Sequence, residues 1–380
     1  MKPRLLAFGG EFLYELVTAS ADFAVDFYAT ESERKFRLLT RLRTEAPDAL
    51  ERYPIRRWTL SDLPEIGRKV RAGVYDAVLC QHIRYALWSP VLPLLTSLRR
   101  GWQTLAGERA SLIRFFLPRW VVGTGVPMAF VSPEDSPTIE AQNHPLLRVC
   151  RLCFVRELPV NPAHLLLNTA PGHRRIVNVT RQRELDQIWR RLRPISLGLR
   201  ERTASLIERF RVQHSDRKDI DVFFAGWTRP YTARDPIYAR QLRSLEGEGW
   251  RVEVTEDRIP QETFLEKCCR SWLVWSPQGL GWECWRHYEA AAAGAVPVIN
   301  MPTIRRYAPL EHGRHALFYC VEGDHLGTVV RDALRDKDRL WAMGRAARQH
   351  VLDHHLHSRL LHHLVASLTE ETERTNVPAE

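Results

Sequence analysis

The order of apolar and polar positions divides the chain into alternating strands and helices. An apolar run at 4–8 predicts a first strand, Gly9-Gly10-Glu11 a turn, 11–19 a helix and 23–28 a second strand. Residues 34–50 combine helical spacing with many arginines, and 56–60 and 77–81 fit two more strands. Another strand at 126–131 runs into Ser132-Pro-Glu-Asp-Ser-Pro-Thr138, and an apolar run covers 147–155. A helix is predicted at 199–214, followed by a charged linker at 215–219. Beyond it the alternation sharpens, with strands at 220–225, 251–255, 272–275, 295–299 and 316–321. Helices at 236–246, 260–269, 283–293, 326–334 and from 337 onward separate them. Strands that alternate with helices in this way form parallel sheets.

The stretch from Ser276 to Asn300, SPQGLGWECWRHYEAAAAGAVPVIN, organises the rest. A strand enters a loop punctuated by Gly279 and Gly281, a helix follows, and Gly294 stops it. Free N–H groups and a helix dipole meet at the carboxyl end of such a strand, and that suits a phosphate. Arg286 and Glu289, three apart, share a helix face. The arginine can fork onto a phosphate and the glutamate can accept two ribose hydroxyls. The plain reading is a βαβ unit whose Arg and Glu merely face solvent.

Pro277, Gly279, Arg286, Glu289, Ala290, Gly294, Pro297, Val298 and Ile299 together resemble the donor motif of exostosin-like glycosyltransferases. Related patterns occur in other GT-B enzymes that use nucleotide sugars. The resemblance covers about 221–318 and departs from the pattern at Cys284, where a serine is common. It implies an α/β protein of GT-B type, with two Rossmann-like domains facing across a cleft and a carboxy-terminal helix crossing back. On that scheme 1–214 is the acceptor domain and 215–345 the donor domain. Residues 346–368 form the returning helix, and 369–380 are a polar tail that frays. The activity implied is a hexosyltransferase-like transfer from a nucleoside-diphosphate sugar, without metal or further cofactor. Arg286 then serves the diphosphate, Glu289 the ribose, and the Gly279, Gly281 and Trp282 backbone lies beneath the phosphates. Gly226 lines the opposite wall with Arg229, Arg234 being an alternative to the latter. The first turn, with Glu11, lines the acceptor side. A general base is sought at Glu134 or Asp135, just past a strand end, where Asp135 is equally suited to capping a turn.

Composition adds limits. A formal net charge of +10 favours an anionic partner without choosing between nucleotide sugar, acidic lipid and nucleic acid. No apolar stretch approaches the length of about 20 residues that a membrane span needs. Seven scattered cysteines, an odd number, favour reduced thiols and a cytoplasmic setting. Residues 82–124 interleave aromatics with arginines, among them Trp102, Arg114, Phe116 and Trp120. Two core helices with solvated arginine faces explain them, as would peripheral contact with the inner membrane face or a lipid-linked acceptor. A glycan or a protein is the other acceptor class, and no nucleic-acid-binding motif accompanies the arginines. Cys150 and Cys153 have CxxC spacing but lack a second pair, and His350 and His354 lack the glutamate of a metalloprotease helix. A non-catalytic protein that keeps the fold as a nucleotide-sugar-binding scaffold is the alternative function.

Overall fold

The computed structural model describes residues 2–30, 47–56, 61–81, 113, 116–139, 143–161, 164–165 and 182–376. They fall into two units, 1–195 with 361–380, and 196–360.

The first unit is built on a seven-stranded sheet. Its strands are β1 (Arg4–Gly9), β2 (Ala24–Ala29), β3 (Ile55–Arg56), β4 (Ala77–Gln81), β5 (Met128–Ser132), β6 (Leu152–Val155) and β7 (Leu192–Pro194). The spatial order is β3-β2-β1-β4-β5-β6-β7, and every pairing is parallel. A parallel sheet is covered on both faces, so its strands read as apolar runs without alternation; β4, β5 and β6 are buried at every position. The chain reverses its direction of winding between β1 and β4, so the turns after these strands gather at one sheet end. The helix α1 (Glu11–Thr18) leaves β1 there.

Much of the aromatic–arginine segment lies outside the described residues, including Trp102 and Arg114. Where it is described, Arg119 and Val122 are exposed and the other large apolar side chains belong to the core. Ile113, Leu117, Trp120 and Val121 are buried, Phe116 packs against them, and the Trp120 indole lies where a side chain on Gly67 would stand. Trp120 is therefore unavailable to a bilayer. Among the described residues no helix is long and apolar enough to cross a membrane. Cys150 and Cys153 are buried thiols with their sulfurs 3.0 Å apart.

The second unit holds β8 (Ile220–Ala225), β9 (Val252–Thr255), β10 (Ser271–Trp275), β11 (Val296–Asn300) and β12 (Leu317–Tyr319). They are all parallel in the order β12-β11-β10-β8-β9, so the winding reverses between β8 and β10. Phe224, Trp275 and Tyr319 fill one face of this sheet, with the Trp275 indole N–H donating to the Tyr319 hydroxyl (2.9 Å).

Three expectations from sequence change here. The units divide at 195–196, earlier than 214–215, because α2 (Glu201–His214) packs with the second unit. Within that unit its Ile207 carbonyl meets the Cys269 thiol and Glu208 pairs with Arg348. The charged stretch 215–219 is a packed turn. Ser215 and Asp216 take left-handed backbone, Asp219 grips Arg270 through two bonds, and Lys218 is half-buried with its amine pushed down to about 8 by desolvation. The long final helix is two helices, α3 (Lys337–His354) and α4 (His357–Asn376). The Leu199 N–H donates to the His355 carbonyl (2.7 Å) and the His357 N–H to the Leu199 carbonyl (3.0 Å). Leu199 thus takes backbone groups that a continuous helix would use for itself. The part of α4 from 361 belongs with the first unit, where His362 meets Asp22 (3.0 Å) and His363 lies edge-on to Phe154.

The histidines of this region are structural. His350 and His355 each direct Nε2 to the Ala308 carbonyl at 2.8 Å, and His355 Nδ1 meets the Ser196 hydroxyl at 2.8 Å. Burial drives His355 down to about 3, so it packs as a neutral ring. Among the described residues no group of His, Cys, Asp or Glu has the arrangement to hold a metal ion.

Candidate donor site

A cavity of about 350 Å³ opens in the second unit at the point where the winding reverses. Four segments build it. Ala225, Gly226 and Trp227 follow β8, and Arg234 comes from the loop before α5 (Pro236–Ser244). Arg258, Ile259, Gln261 and Phe264 come from the start of α6 (Gln261–Arg270). Cys284, Trp285, Arg286 and Glu289 come from the start of α7 (Trp285–Ala292). Neither α6 nor α7 has a side-chain cap at its N-terminus. Two positive helix ends therefore meet a wall with three arginines and one carboxylate, an arrangement suited to an anion.

Arg286 is the centre of it. Its Nη2 donates to the Ala225 carbonyl (2.9 Å), and its guanidinium lies over the rings of Phe224 (4.9 Å) and Phe264 (5.8 Å). Gly226 makes room: with φ at +153° it occupies backbone open mainly to glycine, and a Cβ would stand 2.8 Å from Arg286 Nη2. Nε and Nη1 of Arg286 are buried and have no hydrogen-bond partner among the described residues. Orphaned buried donors cost free energy, and a ligand that accepts from them removes that cost.

Arg234 stands on the other side, its Nε donating to the Gln278 carbonyl (2.8 Å). Desolvation and then the charge of Arg286 lower its pKa, which is the signature of two cations in one pocket. Glu289 is held at about 7 by desolvation, against the pull of Arg286. Its proton is therefore exchangeable near neutral pH.

Cys284, at the N-terminal end of α7, is the sequence's departure from the serine pattern. Its sulfur is 3.5 Å from His287 Nδ1 and 3.7 Å from the Ser276 hydroxyl. The His287 Nε2 faces the Trp282 carbonyl (3.1 Å), which can only accept, so this nitrogen carries a proton. Desolvation disfavours the thiolate, but His287, Arg286 and Arg234 outweigh it and bring Cys284 down to about 5. The thiolate is the nucleophile, so at pH 6 iodoacetamide is expected to modify Cys284 before the solvent-exposed Cys320. A nucleoside diphosphate should slow that reaction. Peptide mass spectrometry reads both; earlier labelling of Cys320, or no protection, would place the thiol outside the anion pocket.

Of the residues the sequence proposes for the donor, Gly226, Arg286 and Glu289 come together on this cavity. Arg229, Gly279, Gly281 and Trp282 do not line it. The Arg229 N–H closes a turn onto the Arg234 carbonyl (2.8 Å), which leaves the Arg229 side chain exposed and brings Arg234 inward. Gly279 N–H is spent on the Gly281 carbonyl (2.9 Å) and Gln278 N–H on Asn300 Oδ1 (2.8 Å). The Trp282 ring is buried, with Nε1 donating to the carbonyls of Asn300 (3.1 Å) and Met301 (3.0 Å). This loop shapes the site by holding Arg234. Trp227, Arg258, Gln261 and Phe264 were not picked out from sequence; an aromatic and an arginine after two different strands of one sheet are their only signal.

The acceptor-side candidates stand in the first unit. Glu11 opens α1, but Gln81 Oε1 already accepts from the Gly10 (3.1 Å) and Leu13 (3.2 Å) N–H groups. The helix end beside Glu11 is thus closed by the protein itself. Glu134 and Asp135 follow β5, the first half-buried and the second exposed. Asp135 is paired with the buried Arg156, which also donates to the Pro133 carbonyl (2.9 Å) and lies 3.4 Å from the buried Glu157.

No family model and no curated protein matches the sequence. Solved structures are similar over nearly the whole chain. Anabaena Alr3699/HepE in complex with UDP aligns with a TM-score of 0.53 at 11% identity, covering 97% of this chain and 100% of that one. The same protein in complex with UDP-glucose gives 0.51 at 10% identity, with 97% and 99% covered. A glycosyltransferase from Rickettsia africae ESF-5 gives 0.52 at 8% identity, with 97% and 98% covered. The fold is GT-B, two parallel-sheet α/β units.

Proposed function

We propose that the protein is an exostosin-like glycosyltransferase that takes a hexose from a nucleoside-diphosphate donor bound in the second-unit cavity. The observation that carries this reading is Arg286, whose Nε and Nη1 are buried without partners among the described residues, in a pocket that also holds Arg234 and Arg258. Two arginines and two helix ends would neutralise the diphosphate as the sugar leaves, and that stabilisation needs no metal. Glu289 would accept from the ribose hydroxyls. The similarity to a fold solved with UDP and with UDP-glucose supports the class of donor.

The base that takes the acceptor proton is placed in the first unit. Glu134, Asp135 and Glu11 are the candidates, and Asp135 is paired with Arg156. The acceptor is a glycan, a lipid-linked sugar or a protein. The site of action is the cytoplasm, with attachment at the inner membrane face if the acceptor is lipid-linked.

The ribose assignment has a direct test. Glu289→Gln keeps size and weakens acceptance, so it should lower affinity for an ordinary nucleoside diphosphate while leaving the fold intact. A 2′,3′-dideoxy nucleotide lacks the hydroxyls and should bind wild type and Glu289→Gln equally by calorimetry. Equal loss for both nucleotides would remove Glu289 from the ribose.

A further inference from the structure

We propose that Trp227, backed by Arg258, is the seat of the nucleotide base. The inference rests on the donor-site reading and extends it to a residue that the motif does not contain. Trp227 follows Gly226 at the end of β8 and is 61% exposed, although it lines the same cavity as the buried guanidinium of Arg286. The guanidinium carbon of Arg258 lies 4.2 Å above its ring centre, which holds the indole from one side. The next residue fixes the loop: the Thr228 hydroxyl donates to the Glu256 carboxylate, which is itself paired with Arg243 (3.0 Å). An indole kept open to solvent at a cavity mouth, on a loop pinned beside it, is a prepared stacking surface.

The position suits a base on geometric grounds. A nucleoside diphosphate with its phosphates on Arg286 and its ribose on Glu289 must carry its base outward, and the exposed members of the wall are Trp227, Arg258 and Gln261, of which Trp227 is the aromatic one. Stacking uses the face of the ring, which every base has, so preference among bases should be modest compared with the gain over a ligand that has no base.

Calorimetry with uridine, guanosine, adenosine and cytidine diphosphates, and with inorganic pyrophosphate as the probe lacking a base, tests this. Wild type should bind the best nucleoside diphosphate more tightly than pyrophosphate. Trp227→Ala should weaken that nucleotide by about five- to a hundredfold and leave pyrophosphate unchanged. Trp227→Phe, which keeps an aromatic face, should recover most of the loss. The inference is overturned if Trp227→Ala weakens pyrophosphate equally, or leaves the nucleotide unaffected. Pyrophosphate binding with no gain for any nucleoside diphosphate removes the base seat and keeps the phosphate site. If wild type binds neither, both readings fall.

Discussion

Arg286→Ala is expected to weaken nucleoside-diphosphate binding by about a hundredfold or more, since two charge-assisted bonds of roughly 1.5–3 kcal/mol each are lost. The unliganded protein should not melt earlier. The substitution removes the bond to the Ala225 carbonyl and the packing on Phe224 and Phe264. It also removes two buried donors without partners and the repulsion felt by Arg234. These effects oppose each other, so binding and stability separate at this position, as they do where a site is organised for a ligand. Arg286→Lys keeps the charge and loses the planar fork, and should recover only a minor part of the affinity. A lower melting temperature with unchanged affinity would make Arg286 a residue of the fold.

Glu283 carries the second large effect, and here the loss is in stability. Its side chain is buried and accepts from the Leu197 N–H (2.8 Å) and from the Tyr288 hydroxyl. Burial, and then the charge of Glu283, hold the Tyr288 phenol well above its ordinary pKa, so it stays a donor. Glu283→Ala leaves the Leu197 N–H buried and unpaired and leaves the Tyr288 hydroxyl with Ser196 alone, which is expected to cost about 2 kcal/mol or more. Urea unfolding should show a lower midpoint with an unchanged slope. A loss below about 1 kcal/mol would mean that water or a neighbour satisfies these groups.

The two large effects come from residues three apart in one motif, and only one of them was assigned a role from sequence. Strand β8 is legible at 220–225 because an apolar run, broken only by Asp221, stands between a charged turn and a glycine. The helix start is less legible. Periodicity places it at Glu283, yet α7 begins at Trp285 because Glu283 turns to Leu197 and Trp282 to the Asn300–Met301 backbone. Those are contacts across long stretches of sequence, and no local pattern encodes them. Arg229 and Arg234 were both visible; the turn closed by the Arg229 N–H decides which of them points inward. Arg258 was invisible because the wall it shares with Arg286 exists only once β9 lies beside β8. The break at His355 follows the same rule. Helical periodicity runs through it, and Leu199, more than 150 residues away in sequence, interrupts it.

The central claim is that the cavity presents a nucleoside-diphosphate sugar for transfer. The measurement that meets it most directly is release of nucleoside diphosphate from a panel of nucleotide sugars, with no acceptor added and EDTA present. Slow release from at least one donor is expected, because water substitutes poorly for the acceptor and because arginines supply the positive charge. Arg286→Ala should abolish it. Tight binding of a nucleotide sugar with no release, with or without acceptor extracts, would contradict the claim and leave a binding protein. Release that EDTA stops and magnesium or manganese restores would contradict the role given to the arginines.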